Sequence, residues 1–201
     1  AGQARILSNK EIGGMFKLLP RTRDKVLFAI GIYTGLRVGE IVSLRTNQLF
    51  SDAGNVRHVL KVKRTKKKNT VFNDIPIHPK LKGMLEDYSG ESTLDIWLFP
   101  SDASGTGHLT RAQAHNVLTE AFETLGLDDA TTHSMRRTCL TNMSRAGVPL
   151  RTIQEIPDTQ ASAISKHIWL LILMISAGDK SLEVLNVHGR FKSHKQQGQA
   201  T

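Results

Sequence analysis

Two short spacings in this chain bring together side chains that could act on one anion. In Thr34-Gly-Leu-Arg-Val-Gly-Glu40, Arg37 and Glu40 stand three residues apart, and in His133-Ser-Met-Arg-Arg-Thr138 the same interval separates His133 from Arg136. Residues three apart share a face of a helix. Two guanidinium forks arriving from separate elements can grip the non-bridging oxygens of one phosphodiester, and arginine suits the task because it does not lose its charge. Glu40 would orient the Arg37 fork, and an imidazole at position 133 titrates in the range useful to an acid or base. Charge is the third feature. Residues 57–68 hold seven Lys or Arg and no acid, and clustered cations of this kind release counterions from a polyanion such as nucleic acid. Taken singly, each feature has a plainer reading. Arg37 with Glu40 could be a surface helix pair, His133 a helix-cap residue, Arg137 a structural or phosphate-side neighbour, and the lysine run a solvated loop.

The elements that must position these groups follow from periodicity and punctuation. Ser8-Asn-Lys-Glu11 predicts a capping box opening a helix through about Leu19. Asp24 begins a second, apolar helix through Tyr33, which Gly35 breaks, and Val38 to Leu44 forms a third. In the basic run, Val59, Lys61 and Lys63 alternate with Leu60, Val62 and Arg64, and Val71 to Ile77 follows a polar turn. That pattern predicts a β-hairpin tipped by lysines. Pro79 opens a helix carrying Leu81, Met84 and Leu85, residues 89–109 are mostly loop around Ile96-Trp-Leu-Phe99, and Thr110 caps a helix ending at Gly126. Further helices run from about Ser134 to Ala146 and from Leu150 to Ile156. The expected fold is mainly α with a small antiparallel β-sheet, an α+β architecture in one domain.

Composition narrows the function classes. The 201 residues carry a net charge of +9, with 39% hydrophobic and 22% charged residues, which excludes whole-chain disorder. Residues 57–68 account for seven of the nine charges, and the rest of 1–156 sums to zero. One cysteine, Cys139, excludes an internal disulfide framework and a thiolate cluster for zinc; it reads as a small buried helix residue. The longest apolar run, Ile168 to Ile175, is far too short to span a bilayer at about 20 residues. With no apolar signal segment at the start, a cytoplasmic location and no membrane association are expected. His58, His78, His108, His115 and His188 match no motif and read as surface or loop histidines.

The three segments together resemble the first arginine box, the catalytic-lysine hairpin and the His-x-x-Arg box of the tyrosine site-specific recombinases, the phage integrase family. The likeness runs from about Leu7 to Ile156 in the right order and spacing. It implies DNA recombination or integration by strand cleavage and rejoining through a 3′-phosphotyrosine, with Arg37, Lys66, His133 and Arg136 as catalytic residues and Glu40 in support. The family's hairpin lysine protonates the departing 5′ oxygen; the Thr-Lys placement selects Lys66, with Lys67 and Lys68 as alternatives. Lys61, Lys63, Arg64, Lys67, Lys68 and Arg137 would contact DNA. Double-stranded DNA is the implied partner, with assembly as a homo-oligomer on it. No metal or other cofactor is expected, since the arginines do the work a cation does elsewhere. The family's N-terminal core-binding domain is expected to be missing from this fragment.

Two family elements fail to appear: a Gly-His box after the second arginine, and the nucleophilic tyrosine beyond it. The two tyrosines, Tyr33 and Tyr88, both precede the His-x-x-Arg box. Residues 157–201 therefore form an off-pattern tail. A lost nucleotide near Ile156 would explain it. Pro157-Asp-Thr-Gln-Ala161 can be encoded CCG GAC ACA CAA GCN, whose shifted frame reads x-Gly-His-Thr-Ser, and Lys166-His-Ile-Trp169 likewise yields Ala-Tyr, nine codons after that histidine. Natural divergence of the C-terminus is the alternative. The expected chain keeps its phosphate-binding residues and has no nucleophile, so it is catalytically incompetent. A non-catalytic DNA-binding protein, using the hairpin and arginines as phosphate contacts, is the competing function.

Overall fold

A computed structural model describes residues 4–66, 69–91, 96–101, 103 and 105–147; the side chains of 63–66, 69–73 and 91 lie outside that description. The short helix expected at Leu150 to Ile156, His188 and the tail 157–201 also lie outside it. The described elements are α1 (Asn9–Leu18), α2 (Thr22–Thr34), α3 (Val38–Val42), β1 (Val59–Lys66), β2 (Asn69–Pro76), α4 (Pro79–Glu91), α5 (Arg111–Thr124) and α6 (Thr132–Arg145). This is the expected mainly helical architecture with one small antiparallel sheet.

Helix α2 is the centre because its sequence is apolar all round. Val26, Leu27, Phe28, Ala29 and Ile30 are fully buried, and the helix packs against α3, α4, α5 and α6. A helix without a polar face is stable only when surrounded. Phe28 meets Phe16 and Phe122 edge-on, with ring centroids 5.2 and 6.3 Å apart, the geometry favoured by the ring quadrupole. Where α2 crosses α6, Gly31 allows close approach: a Cβ there would lie 2.6 Å from the Met135 sulfur.

The ends of the helices follow local chemistry. Ser8 and Glu11 form the expected reciprocal box, with the Ser8 N–H donating to Glu11 Oε2 at 2.7 Å. Helix α2 starts two residues earlier than expected, placing Asp24 in its first turn, where Arg23 pairs with it at 2.8 Å and the helix dipole favours a carboxylate. Gly35 ends α2 at φ 67°, a left-handed conformation that glycine adopts without Cβ strain. Helix α3 stops at Val42, short of Leu44, because Ser43 turns out of the helix and its hydroxyl donates to the Glu40 carbonyl at 2.9 Å.

In the hairpin, Lys66 pairs with Asn69 at the closed end of the ladder and Val59 with Pro76 at the open end. Leu60, Val62 and Ile75 face the core while Lys61 is exposed. Features that sequence left unseen include a 3-10 turn at Thr46–Gln48 and a bridge between Arg45 and Trp97. The bridge exists because the Ile96–Phe99 segment crosses back beside Leu44, whose carbonyl accepts from Leu98 N–H at 2.9 Å.

The N-terminal segment is strapped to α6. Leu7 N–H donates to Thr138 Oγ1 at 2.9 Å and Arg137 donates to the Ala4 carbonyl at 2.5 Å. Arg5 joins Glu11 on α1 to Asp129 just before α6.

Candidate functional site

The Gly35 turn fixes the first arginine. Having reversed the chain with φ 67°, it delivers Arg37 to the N-cap of α3, where its N–H donates to Glu40 Oε2 at 2.8 Å. The guanidinium itself is 4.0 Å from Glu40 Oε1 and half exposed. Glu40 thus holds the backbone of Arg37 more firmly than its fork, and the fork stays open to an incoming anion.

The second pair sits in the first two turns of α6. Thr131 caps the helix, its hydroxyl accepting from His133 N–H at 3.2 Å, so His133 stands exposed at the helix start. One turn on, Arg136 donates to the Gly35 carbonyl. This bond joins the two sequence motifs directly, because Gly35 is the residue whose turn presents Arg37. Arg137 lies about 100° further round a helix with 3.6 residues per turn, and its guanidinium reaches the Ala4 carbonyl.

Arg37, Glu40, His133 and Arg136 accordingly line one cleft of about 300 Å³, together with Thr132 and Arg111. Arg111, the first residue of α5, is a lining residue that motif spacing missed. The available signal was its place just after the Thr110 cap, whose hydroxyl accepts from Gln113 N–H at 3.2 Å. A second, larger hollow of about 520 Å³ flanks the other side of His133 and Arg136 and is walled by Arg137, Leu140, Thr141 and Ser144.

The hairpin residues are placed less fully. Lys61 is exposed beside the 3-10 turn, its carbonyl accepting from Gln48 Nε2 at 2.6 Å. Lys66 ends β1. Its side chain, those of Lys63 and Arg64, and the whole of Lys67 and Lys68 lie outside the description.

Among the described residues, neither tyrosine nor the cysteine lines the cleft that Arg37 and Arg136 share. Tyr88 is buried, with its hydroxyl donating to the Leu98 carbonyl at 2.9 Å. Tyr33 is stacked on His78 at 4.3 Å, and burial raises its phenol above the usual range. Cys139 is buried beneath Gly35, and burial pushes its thiol up to about 12, against the smaller opposing effect of the Arg136 charge. Thiolate chemistry needs the opposite shift.

One histidine departs from expectation. His78 lies in the loop between β2 and α4, as expected, but it is buried and not at the surface. Its ring lies on Tyr33 at an interplanar angle of 18°, and Nδ1 accepts from Lys80 N–H at 3.1 Å. Burial, with a smaller contribution from Lys80, lowers it to about 4. His58 and His115 are exposed and His108 is partly buried. Among the described residues no group of three or more His, Cys, Asp or Glu could hold a metal ion, and no helix is long and apolar enough to cross a membrane.

A helical domain that brings arginines from three separate elements to one cleft has the chemistry to hold an oxyanion. Comparison with known proteins defines the lineage. The profile of the Phage integrase family matches residues 5–163. Tyrosine recombinase XerC of Roseiflexus castenholzii is 31% identical over 147 residues, covering 68% of this chain and 43% of its own. Tyrosine recombinase XerD of Lacticaseibacillus casei is 28% identical over 155 residues, covering 73% and 50%. Among solved structures, an integrase from mycobacterium phage Brujita superposes with a TM-score of 0.67 at 20% identity, over 86% of this chain and 58% of that one. The XerH site-specific recombinase bound to difH substrate does so at 0.58 and 16%, over 87% and 52%. The chain belongs to the phage integrase family, that of the tyrosine recombinases, and spans about half the length of the curated relatives it matches.

Proposed function

We propose that this chain is the DNA-cleavage domain of a site-specific recombinase that retains its phosphate-binding residues and lacks its nucleophile. The observation that carries the proposal is the single cleft onto which Arg37, Glu40, His133 and Arg136 open. Double-stranded DNA is assigned as the substrate class; among the structural neighbours, XerH is bound to difH substrate and the Tn1549 integrase is in complex with circular intermediate DNA. In the reaction of this class a tyrosine oxygen attacks the scissile phosphorus. A phosphorus–oxygen bond to tyrosine forms, the bond to the 5′ oxygen breaks, and a proton passes to that leaving oxygen; rejoining reverses each step. Arg37 and Arg136 would hold the non-bridging oxygens and stabilise the charge that develops on them. His133 would handle a proton at the nucleophile, Lys66, or its neighbours Lys67 and Lys68, would protonate the 5′ oxygen, and Glu40 would position Arg37. Lys61, Lys63, Arg64 and Arg137 are assigned to DNA contact, with assembly as a homo-oligomer on DNA in the cytoplasm.

The attacking group is missing. Tyr33, Tyr88 and Cys139 are held as described above, and residues 157–201 contain no tyrosine. We assign residues 1–156 to the catalytic domain and the tail to a shifted reading frame, which the nucleotide sequence tests: a frame shifted from codon 157 that lacks Gly-His and Tyr codons rejects the shift. A suicide DNA substrate, which traps the covalent intermediate, should give salt-sensitive binding and no protein–DNA adduct. An adduct would overturn the assigned incompetence, and no binding at low salt would overturn the DNA assignment. The position of both tyrosines outside the cleft also favours a second function, a non-catalytic DNA-binding protein competing with an intact recombinase for its site.

A further inference from the structure

We infer that Arg111 holds a second phosphate of the DNA strand, next to the one taken by Arg37 and Arg136; the inference rests on the DNA function proposed above. Three guanidinium groups and one carboxylate open onto the cleft of about 300 Å³, so it carries a surplus of positive charge. The other two arginines have partners. Arg37 has Glu40 at 4.0 Å and Arg136 has the Gly35 carbonyl. The Arg111 side chain makes no hydrogen bond or ion pair with the described residues, and it is exposed. Its stem is nonetheless directed. A Cβ built on Gly39 would stand 3.9 Å from Arg111 Cδ, so the aliphatic part of the side chain rests across the start of α3, beside Arg37. Like charges held at one rim repel each other, and a strand carrying successive phosphates along the cleft would offset that repulsion. A single phosphate oxygen pair is already spoken for by two forks, and a third fork from a different helix fits the next anion along a polyanionic strand.

Binding to a labelled duplex, measured as a function of salt for the 201-residue chain, tests this. Neutralising one phosphate contact lowers the slope of log K against log salt by about 0.9. Arg111→Ala should show that loss equally on two duplexes of unrelated sequence, with the melting temperature unchanged, and Arg111→Lys should retain most of the slope. An unchanged slope with weaker binding to one sequence alone would mean a base contact and overturn the inference, as would unchanged binding to both. Arg37→Ala separates the two levels. If it lowers the slope while Arg111→Ala does not, this inference alone falls; if wild-type binding shows no salt dependence, or Arg37→Ala leaves the slope unchanged, the parent function falls.

Discussion

Arg136 serves as a distance gauge as well as a charge. By donating to the Gly35 carbonyl, it registers the second arginine to the turn that presents the first. The spacing of these residues was legible in sequence because an interval of three is fixed by helix geometry. The different fates of Arg136 and Arg137 were not, since they depend on where the N-terminal segment crosses α6. His78 shows the same limit. In Pro76-Ile-His-Pro79 a histidine has the local look of a polar loop, and only packing against Tyr33 on another helix buries it. That burial has a pH consequence. A histidine lowered to about 4 when folded, against about 6.5 when unfolded, binds protons more readily in the unfolded chain between those values. Stability is therefore complete above about pH 6.5, falls as pH drops towards 4, and levels below. Urea midpoints measured across this range should decline for the wild type and decline less for His78→Gln; equal declines would remove His78 as the cause.

At the scale of elements, the α2–α6 crossing decides how far apart the two arginines sit. Gly31 makes that crossing close, and a methyl group there would press on fully buried Met135. Gly31→Ala gains about 1 kcal/mol of helix propensity and incurs an overpacking cost of about 1–3 kcal/mol. Net destabilisation of about 1 kcal/mol is expected in urea unfolding. Phosphate-dependent DNA binding should weaken along with it, because α6 carries Arg136 away from the Gly35 carbonyl; stabilisation with unchanged binding would contradict this account. Helix α2 itself was legible from its apolar run and its glycine stop. The hairpin was legible as a hairpin, yet its alternation left open which set of side chains faces inward, and the core selected Leu60 and Val62. The Arg45–Trp97 bridge was illegible because it rests on a pairing across some fifty residues of chain.

For the whole molecule, charge is concentrated where function is proposed. Seven of the nine net positive charges fall within residues 57–68, and the arginines of the cleft add a second focus. Replacing Lys66, Lys67 and Lys68 together with Gln should lower the salt slope of DNA binding by up to about 0.9 per lysine, while stability changes by no more than about 1 kcal/mol, as expected for surface charges. A slope that survives the triple substitution would place the polyanion elsewhere. Family membership and the order of the boxes were legible across the chain because they are carried by motifs. The third arginine of the cleft was not, since nothing in the sequence brings position 111 beside position 37.

The strap from residues 4–7 to α6 ties the closing of the fold to its last described helix. The bond from Leu7 to Thr138 spans 131 residues and that from Arg137 to Ala4 spans 133. During synthesis, α1 to α5 emerge with one wall of the cleft exposed and its opposite wall still untranslated. Contacts that close such long loops form late, so the ribosome must release α6 before the early arginine meets the later one. A chain arrested before position 130 would carry Arg37 and Arg111 on a half-built surface, exposing the apolar flank of α2 that α6 normally covers. The segment before α1 thus acts as a delayed latch, meeting its partners only when nearly all of the described domain has been made.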